Sequence, residues 1–257
     1  MNAAPDWIAA EAGPGGLRLW AMRGAEVAAR QDVADLAAAR AAWPGLPLLL
    51  AAPEDWPGLP EPRPVPATGL ILHPAPDAER VWLVGPLAQQ DPPDRLAGGA
   101  AQVAGLLEAQ PHFDGVALLT GPRSHWLRLS AGEICHFHSF LTGELLALLS
   151  AAAPDGAGFD ETLDEALSCP HRAYGRLAAL RDTGDGARLA GLLVGLELAA
   201  AKPYWLGQQV AILGEAPLRD LYARALAAQG VATLQPDPES ALLAGLHAAW
   251  KGLAAAG

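Results

Sequence analysis

Cysteine is scarce in this chain: Cys135 and Cys169 are the two in 257 residues, far apart and without CxxC spacing. That excludes a disulfide framework and a cysteine-rich zinc module, and is read as two reduced thiols in a cytoplasmic protein. Basic residues are also few, 17 against 28 acidic ones, for a net charge of -11. A nucleic-acid-binding face needs clustered Lys and Arg, so nucleic acid is excluded as a partner. The eight tryptophans are scattered and form no stacking stripe for a single strand. Long apolar runs are missing too. No segment approaches the ~20 apolar residues of a membrane span, and the run Leu189 to Ala201 is ended by Lys202-Pro203. The start, MNAAPDW, has neither the basic residues nor the apolar run of a signal peptide.

What is present is core-forming material: 51% of residues are hydrophobic, enough for one large domain or two small ones. Strand signals alternate with helix signals along the whole chain, which makes the class α/β. Trp7 to Ala10 and Leu17 to Met22 flank a glycine-rich turn and read as a hairpin. Asp32 to Trp43 has helical spacing with Asp32 as its cap, and Pro44-Gly45 stops it. Leu46 to Ala51 suits a buried strand. Six prolines between Pro53 and Pro66 predict a stiff extended loop. Thr68 to Leu72 and Arg80 to Val84 are expected to pair, Pro86 to Arg95 to be a loop, and Leu96 to Gln110 a helix. The break most like a domain boundary follows Gln110, giving domains 1–110 and 111–257.

The second half opens with the most patterned stretch, Val116 to Ser150. An apolar strand runs into Thr120-Gly121-Pro122, two further strands follow (WLRL and Glu133 to Phe137), and Thr142-Gly143-Glu144 begins a leucine-rich helix. Beyond it come helices at Asp160 to Leu167, Tyr174 to Arg181 and Arg188 to Ala201, the last carrying Gly191 and Gly195 for close helix approach. A strand (Gln209 to Leu213), a helix from Pro217 to Gln229, a strand (Val231 to Leu234) and a closing helix (Glu239 to Leu253) complete the chain. No repeat of solenoid length is visible.

Several of these motifs resemble those of the 2-dehydro-3-deoxygalactonokinase family. GPRSHW (Gly121 to Trp126) is similar to the family's GTHSKW-like turn, and TGEL (Thr142 to Leu145) to its helix start. GLLVGLEL (Gly191 to Leu198), AILGEAPLRDLYARALAAQG (Ala211 to Gly230) and ALLAGL (Ala241 to Leu246) resemble later family segments, and IAAEAGPGGLRLW (Ile8 to Trp20) its first hairpin.

The resemblance implies two ribonuclease-H-like domains of the actin, hexokinase and Hsp70 superfamily, facing a central cleft. It implies an ATP-dependent kinase that transfers phosphate to O6 of 2-dehydro-3-deoxy-D-galactonate, with ATP and Mg²⁺ as cofactors. That chemistry consists of positioning and charge neutralisation. By the same resemblance, Glu11 is the catalytic and Mg²⁺-orienting carboxylate. Gly13, Arg18, Gly121, Arg123, Ser124 and Gly214 serve the phosphates and nucleotide. Gly98, Gln102 and Glu144 serve the sugar acid.

The departures from the family pattern fall on the chemistry. Glu11 stands where the family has Asp, and Pro14 and Gly15 where it has hydroxyl residues. A proline removes a backbone N–H from a phosphate cradle. Pro122 replaces a Thr, Arg123 and His125 replace His and Lys, and Gly214-Glu215 replaces Gly-Thr. On the substrate side only Gly98 and Gln102 survive of an RGEETQ-like segment, and Ala51 to Pro57 has lost a glycine-rich polar loop. Two functions stay open: a weakened sugar-acid kinase, and a catalytically inactive relative acting as ligand sensor or as partner of another protein. A different substrate and a homodimer are further alternatives. Arg123 suits an oxyanion because its guanidinium is a planar fork. Glu54-Asp55 is read as a solvated acidic pair that could supply a base. Cys135, His136 and His138 could suggest a metal cluster, but alternation puts Cys135 on the opposite strand face from the two histidines. Glu144, at a helix start, complements the helix dipole.

Overall fold

The same strand order occurs twice. In the computed structural model, which describes residues 4–13 and 15–256, one sheet begins with β1 (Trp7–Gly13), β2 (Gly16–Arg23) and β3 (Glu26–Val33) as an antiparallel meander. Pro14 and the first three residues lie outside the described residues. Helix α1 (Leu36–Ala42) follows, and β4 (Leu48–Ala51) returns parallel to β1. The chain then forms β5 (Arg63–Pro64), β6 (Ala67–Thr68), β7 (Leu72–Pro74) and β8 (Val81–Val84). The order across this sheet is β3-β2-β1-β4-β8-β7. A hairpin of β9 (Leu87–Gln90) and β10 (Pro93–Leu96) pairs with β5 in a small second sheet, and α2 (Gly99–Ala109) follows.

The second copy starts at β11 (Gly115–Leu119), β12 (Ser124–Ser130) and β13 (Glu133–Phe140). Helices α3 (Thr142–Leu149), α4 (Phe159–Ser168), α5 (Pro170–Ala173), a 3-10 turn (Tyr174–Arg176), α6 (Leu177–Thr183), α7 (Gly186–Ala200) and α8 (Lys202–Trp205) come next. Then β14 (Val210–Leu213) lies parallel to β11, α9 (Leu218–Ala228) crosses back, and β15 (Thr233–Leu234) lies parallel to β14. The order is β13-β12-β11-β14-β15, the order β3-β2-β1-β4-β8 again. The duplication is one of topology: nothing in the sequence repeats with it. The last helix is α10 (Pro238–Ala256).

The chain divides into two compact units. Unit 1 comprises Met1–Phe113, Ala131–Ile134 and Pro238–Gly257; unit 2 comprises Asp114–Ser130 and Cys135–Asp237. The sequence suggested a single division after residue 110, whereas the chain re-enters unit 1 twice. Ala131–Ile134 does so through the pairing of Glu133 and Ile134 with β6. Helix α10 does so by packing on α2 at two glycines. A Cβ on Gly105 would lie 1.7 Å from the Ala241 carbonyl oxygen, and one on Gly245 would lie 2.0 Å from that of Ala101. In unit 2, α4 and α7 meet in the same way: a Cβ on Gly191 would lie 2.1 Å from the Phe159 carbonyl oxygen.

Each unit keeps its core at its central parallel strands. Every residue of β4, β11 and β14 is buried, as parallel strands covered on both faces must be. Against the expectation of a helix capped by Asp32, that residue lies within β3, opposite Arg18, and Asp35 caps α1 by accepting the Ala38 N–H at 2.8 Å. Pairing with β2 overrides the helical spacing there. Pro86 to Arg95 forms the β9–β10 hairpin where a loop was expected: Pro86 precedes β9, and Pro93 is the first residue of β10, a position where a strand tolerates proline. Leu72–Pro74, slightly later than expected, pairs with Val81–Val84. Among the described residues no helix is long and apolar enough to cross a membrane.

Candidate active site

In unit 2 two glycine turns adjoin at the carboxyl ends of the parallel strands β11 and β14. Thr120 N–H donates to the Leu213 carbonyl at 2.7 Å. Gly214, at φ +139°, leaves no room for a side chain: a Cβ would lie 2.2 Å from Thr120 Oγ1. The turn from Thr120 to Ser124 is clamped in turn onto the start of α3. Glu144 N–H donates to the Pro122 carbonyl at 2.7 Å, and a Cβ on Gly143 would lie 2.0 Å from the Gly121 carbonyl oxygen. So the glycine of TGEL is there to let a helix N-terminus sit directly on the turn. Arg123 and Glu144 are among the exposed side chains at this end, with Glu215 exposed beside Gly214. Arg123 has no hydrogen-bond or ion-pair partner among the described residues, leaving its guanidinium available to an oxyanion.

Beneath the turn lies a buried carboxylate that the sequence reading passed over. Glu197, on α7, is 3% exposed. Its Oε1 accepts from Ser124 Oγ at 2.8 Å and Trp126 Nε1 at 2.7 Å; its Oε2 accepts from Tyr222 OH at 2.7 Å and from Thr142 Oγ1. Burial pushes the Glu197 carboxyl above its ordinary value, while the four hydrogen bonds, that from Thr142 foremost, pull it back. Burial first, then the Glu197 charge, hold the Tyr222 phenol well above the ordinary tyrosine value. The signal in the sequence was a single acid in the otherwise apolar run Leu189 to Ala201. A charge that is buried must be paired or hydrogen-bonded. Ser124, expected at the phosphates, is itself 1% exposed with its hydroxyl committed to Glu197.

In unit 1, Glu11 and Arg18 face each other across the β1–β2 hairpin, and Arg18 Nη2 donates to Glu11 Oε2 at 2.6 Å. Gly13 pairs with Gly16 at the hairpin end. The β1–β4 register sets Glu11 beside Ala51. The next residue, Ala52, accepts the Gly98 N–H at 2.7 Å, and Glu54 Oε1 accepts the Ala97 N–H at 3.3 Å. The hairpin, the loop after β4 and the start of α2 therefore meet at one end of this sheet. A Cβ on Gly98 would lie 2.8 Å from the Ala52 carbonyl oxygen, so Gly98 is required for that approach, and half-buried Gln102 lies one turn further along α2. Glu11, Gly13, Arg18, Gly98 and Gln102 belong to unit 1; Gly121, Arg123, Ser124, Glu144 and Gly214 belong to unit 2.

One residue is of the kind that the implied Mg²⁺ would need. Mg²⁺ in phosphoryl-transfer sites is held by one or two carboxylates, with phosphates and water supplying the rest. Glu11 is one such carboxylate, and its Oε1 carries no hydrogen bond among the described residues. The histidines of β13 are used otherwise: His136 Nδ1 meets the Tyr204 hydroxyl, and the His138 ring stacks on Phe140 at 4.7 Å. Cys135 and Cys169 are not joined in a disulfide, and the Cys135 thiol faces the Ser130 carbonyl at 4.0 Å.

Two units with the strand order of ribonuclease H, glycine turns at the strand ends and helix starts seated on them define a protein of the actin-like ATPase fold class. The sequence model of the 2-keto-3-deoxy-galactonokinase family matches residues 36–249, and the chain belongs to that family. The curated protein "Probable 2-dehydro-3-deoxygalactonokinase DgoK1" of Rhizobium meliloti (strain 1021) is 30% identical over 200 residues. That match spans 68% of this chain and 65% of the relative, a little under two thirds of its length. A Sinorhizobium meliloti crystal structure named for 2-dehydro-3-deoxygalactonokinase has a TM-score of 0.82 at 24% identity, covering 96% of this chain and 99% of that one. Component A of the Acidaminococcus fermentans (R)-2-hydroxyglutaryl-CoA dehydratase follows with a TM-score of 0.51 at 11% identity, covering 96% and 98%. Both structures establish the fold alone.

Proposed function

We propose that this chain is an ATP-dependent sugar-acid kinase that phosphorylates O6 of 2-dehydro-3-deoxy-D-galactonate, with turnover lower than the family pattern would give. The observation that carries the reading is the clamp of α3 on the Thr120–Ser124 turn, through Gly143 against Gly121 and Glu144 N–H on Pro122. An intact clamp keeps the turn rigid although its Thr has become Pro122.

When bound, Mg-ATP supplies the transferable phosphoryl group and neutralises charge as it moves. Arg123 offers an unpaired guanidinium to an oxyanion. Glu11 offers one carboxylate oxygen, with Arg18 fixing the other and so setting the direction in which the free oxygen points. Glu54 holds the start of α2 through Ala97, which keeps Gly98 and Gln102 in place for the sugar acid. The reduced rate follows from three substitutions: a carboxylate one methylene longer than Asp, a proline without N–H in the second turn, and Glu215 beside Gly214.

The Glu11–Arg18 ion pair favours a second reading, because a carboxylate already held by a guanidinium binds a cation less readily. On that reading the protein is an inactive relative that senses a ligand or regulates a partner. The cytoplasm is the compartment proposed for either. Incubating purified protein with Mg-ATP and the sugar acid, with ADP release followed, separates the two. ADP that depends on the sugar acid supports the kinase; no turnover at high protein concentration supports the second reading.

A further inference from the structure

The Glu197 carboxylate is joined to four residues on three elements outside its own helix, β12, α3 and α9, and two of these follow directly on the glycine turns. Ser124 is the residue at which the β11–β12 turn becomes strand, and Trp126 follows on the same strand face. Thr142 is the first residue of α3, and its neighbours Gly143 and Glu144 form the clamp on Gly121 and Pro122. Tyr222 lies one turn into α9, the helix that leaves the Gly214 turn, and its ring meets Trp126 edge-on at 6.4 Å. The two carboxylate oxygens thus take one donor pair from β12 and the other from the two helices.

We infer that Glu197 is a positioning residue: one buried carboxylate fixes the turn exit, the α3 start and α9 relative to each other, and so preorganises both glycine turns for phosphate. The inference rests on the kinase reading for its catalytic consequence, but not for its structural one. Donors that share a single rigid acceptor cannot drift apart without leaving a buried charge unsatisfied, which is costly. The bond from Thr142 to Glu197 adds a side-chain tether to the backbone clamp of Glu144 N–H on Pro122, which by itself joins the helix start to the turn alone. Preorganised groups, in turn, are what phosphoryl transfer depends on, and a misplacement of about 1 Å can lower a rate about 100-fold.

The test is Glu197→Gln. Trp126 N–H can only donate, so the Gln oxygen stays with Trp126 and Ser124. The new amide NH₂ then faces the Thr142 and Tyr222 hydroxyls, which must reverse to accept. Hydrogen exchange is expected to rise about 10-fold at the amides of Arg123, Ser124, Gly143 and Glu144, with α4 and all of unit 1 unchanged. The same variant is expected to lose about 10-fold or more in kcat, with KM for the sugar acid within about twofold. Thr142→Val, which removes one donor and keeps the carboxylate, is expected to reproduce the exchange pattern at smaller amplitude, and decides the matter if Glu197→Gln does not fold. Exchange that rises evenly across unit 2, or turn amides that do not respond, overturns the inference, as does unchanged kcat per folded molecule in an active enzyme. If the wild-type protein itself shows no sugar-dependent turnover, the kinase reading fails alone, and the exchange pattern still decides the role of Glu197.

Discussion

Gly143 faces Gly121 so closely that a Cβ on the first would lie 2.0 Å from the carbonyl oxygen of the second. No real Cβ tolerates such a contact with backbone, so Gly143→Ala must push α3 off the turn. The variant is expected to lose about 2 kcal/mol of stability, in the range of overpacking, and to lose turnover beyond what its folded fraction explains. Denaturant unfolding and a rate at matched folded concentration check both.

Glu11 stands where the family pattern has Asp, and its length lets it reach Arg18. Glu11→Asp shortens the side chain by one methylene, weakening that ion pair and restoring the family's residue. An increase in kcat of about tenfold is expected, while Glu11→Ala abolishes turnover. Because the ion pair is half exposed on the arginine side, neither change should alter stability by more than about 1 kcal/mol. Thermal melts and steady-state rates measure the two effects separately.

Two glycines of α10 predict opposite outcomes. Gly245→Ala would place a Cβ 2.0 Å from the Ala101 carbonyl oxygen, so it should cost about 2 kcal/mol or more. Gly252 has nothing within 4 Å of its Cβ position. Gly252→Ala should therefore stabilise by about 0.5 to 1 kcal/mol, the helix preference of Ala over Gly. The melting temperatures of the two variants must move apart.

The pH dependence of stability carries the signature of Glu197. Burial raises its folded carboxyl above the ordinary value of about 4.5, so folding favours the protonated form. The stabilising contribution is fully present below that ordinary value and is lost as pH rises through the raised folded one. Glu197→Gln lacks the titration. The melting temperature of the wild type relative to the variant should accordingly fall as pH rises above about 4.5. A difference that stays flat as pH rises contradicts the burial argument.

Much of this arrangement was legible in the residues. The α/β class, the first hairpin, the TGEL helix start and the glycines of α7 were readable because local pattern and tertiary demand agree there. The edge strand β3 was not: Asp32 to Trp43 has helical spacing, and only pairing with β2 decides for a strand up to Val33. The passage of α10 into unit 1 depends on the backbone contacts of Gly105 and Gly245, which no spacing announces. At the candidate site the sequence offered Ser124 as a direct phosphate contact, while its hydroxyl serves Glu197, 73 residues away. Partners that distant become visible only when the chain is folded, although one acid in an apolar helix was the available hint.

The central claim is that the chain transfers phosphate to a terminal hydroxyl. The direct measurement is phosphorus NMR of the protein incubated with Mg-ATP and 2-dehydro-3-deoxy-D-galactonate. The account predicts ADP together with a new phosphomonoester signal split into a triplet by the two protons on C6, and neither in Glu11→Ala. A spectrum in which ATP persists, or decays to inorganic phosphate without a phosphomonoester, contradicts it.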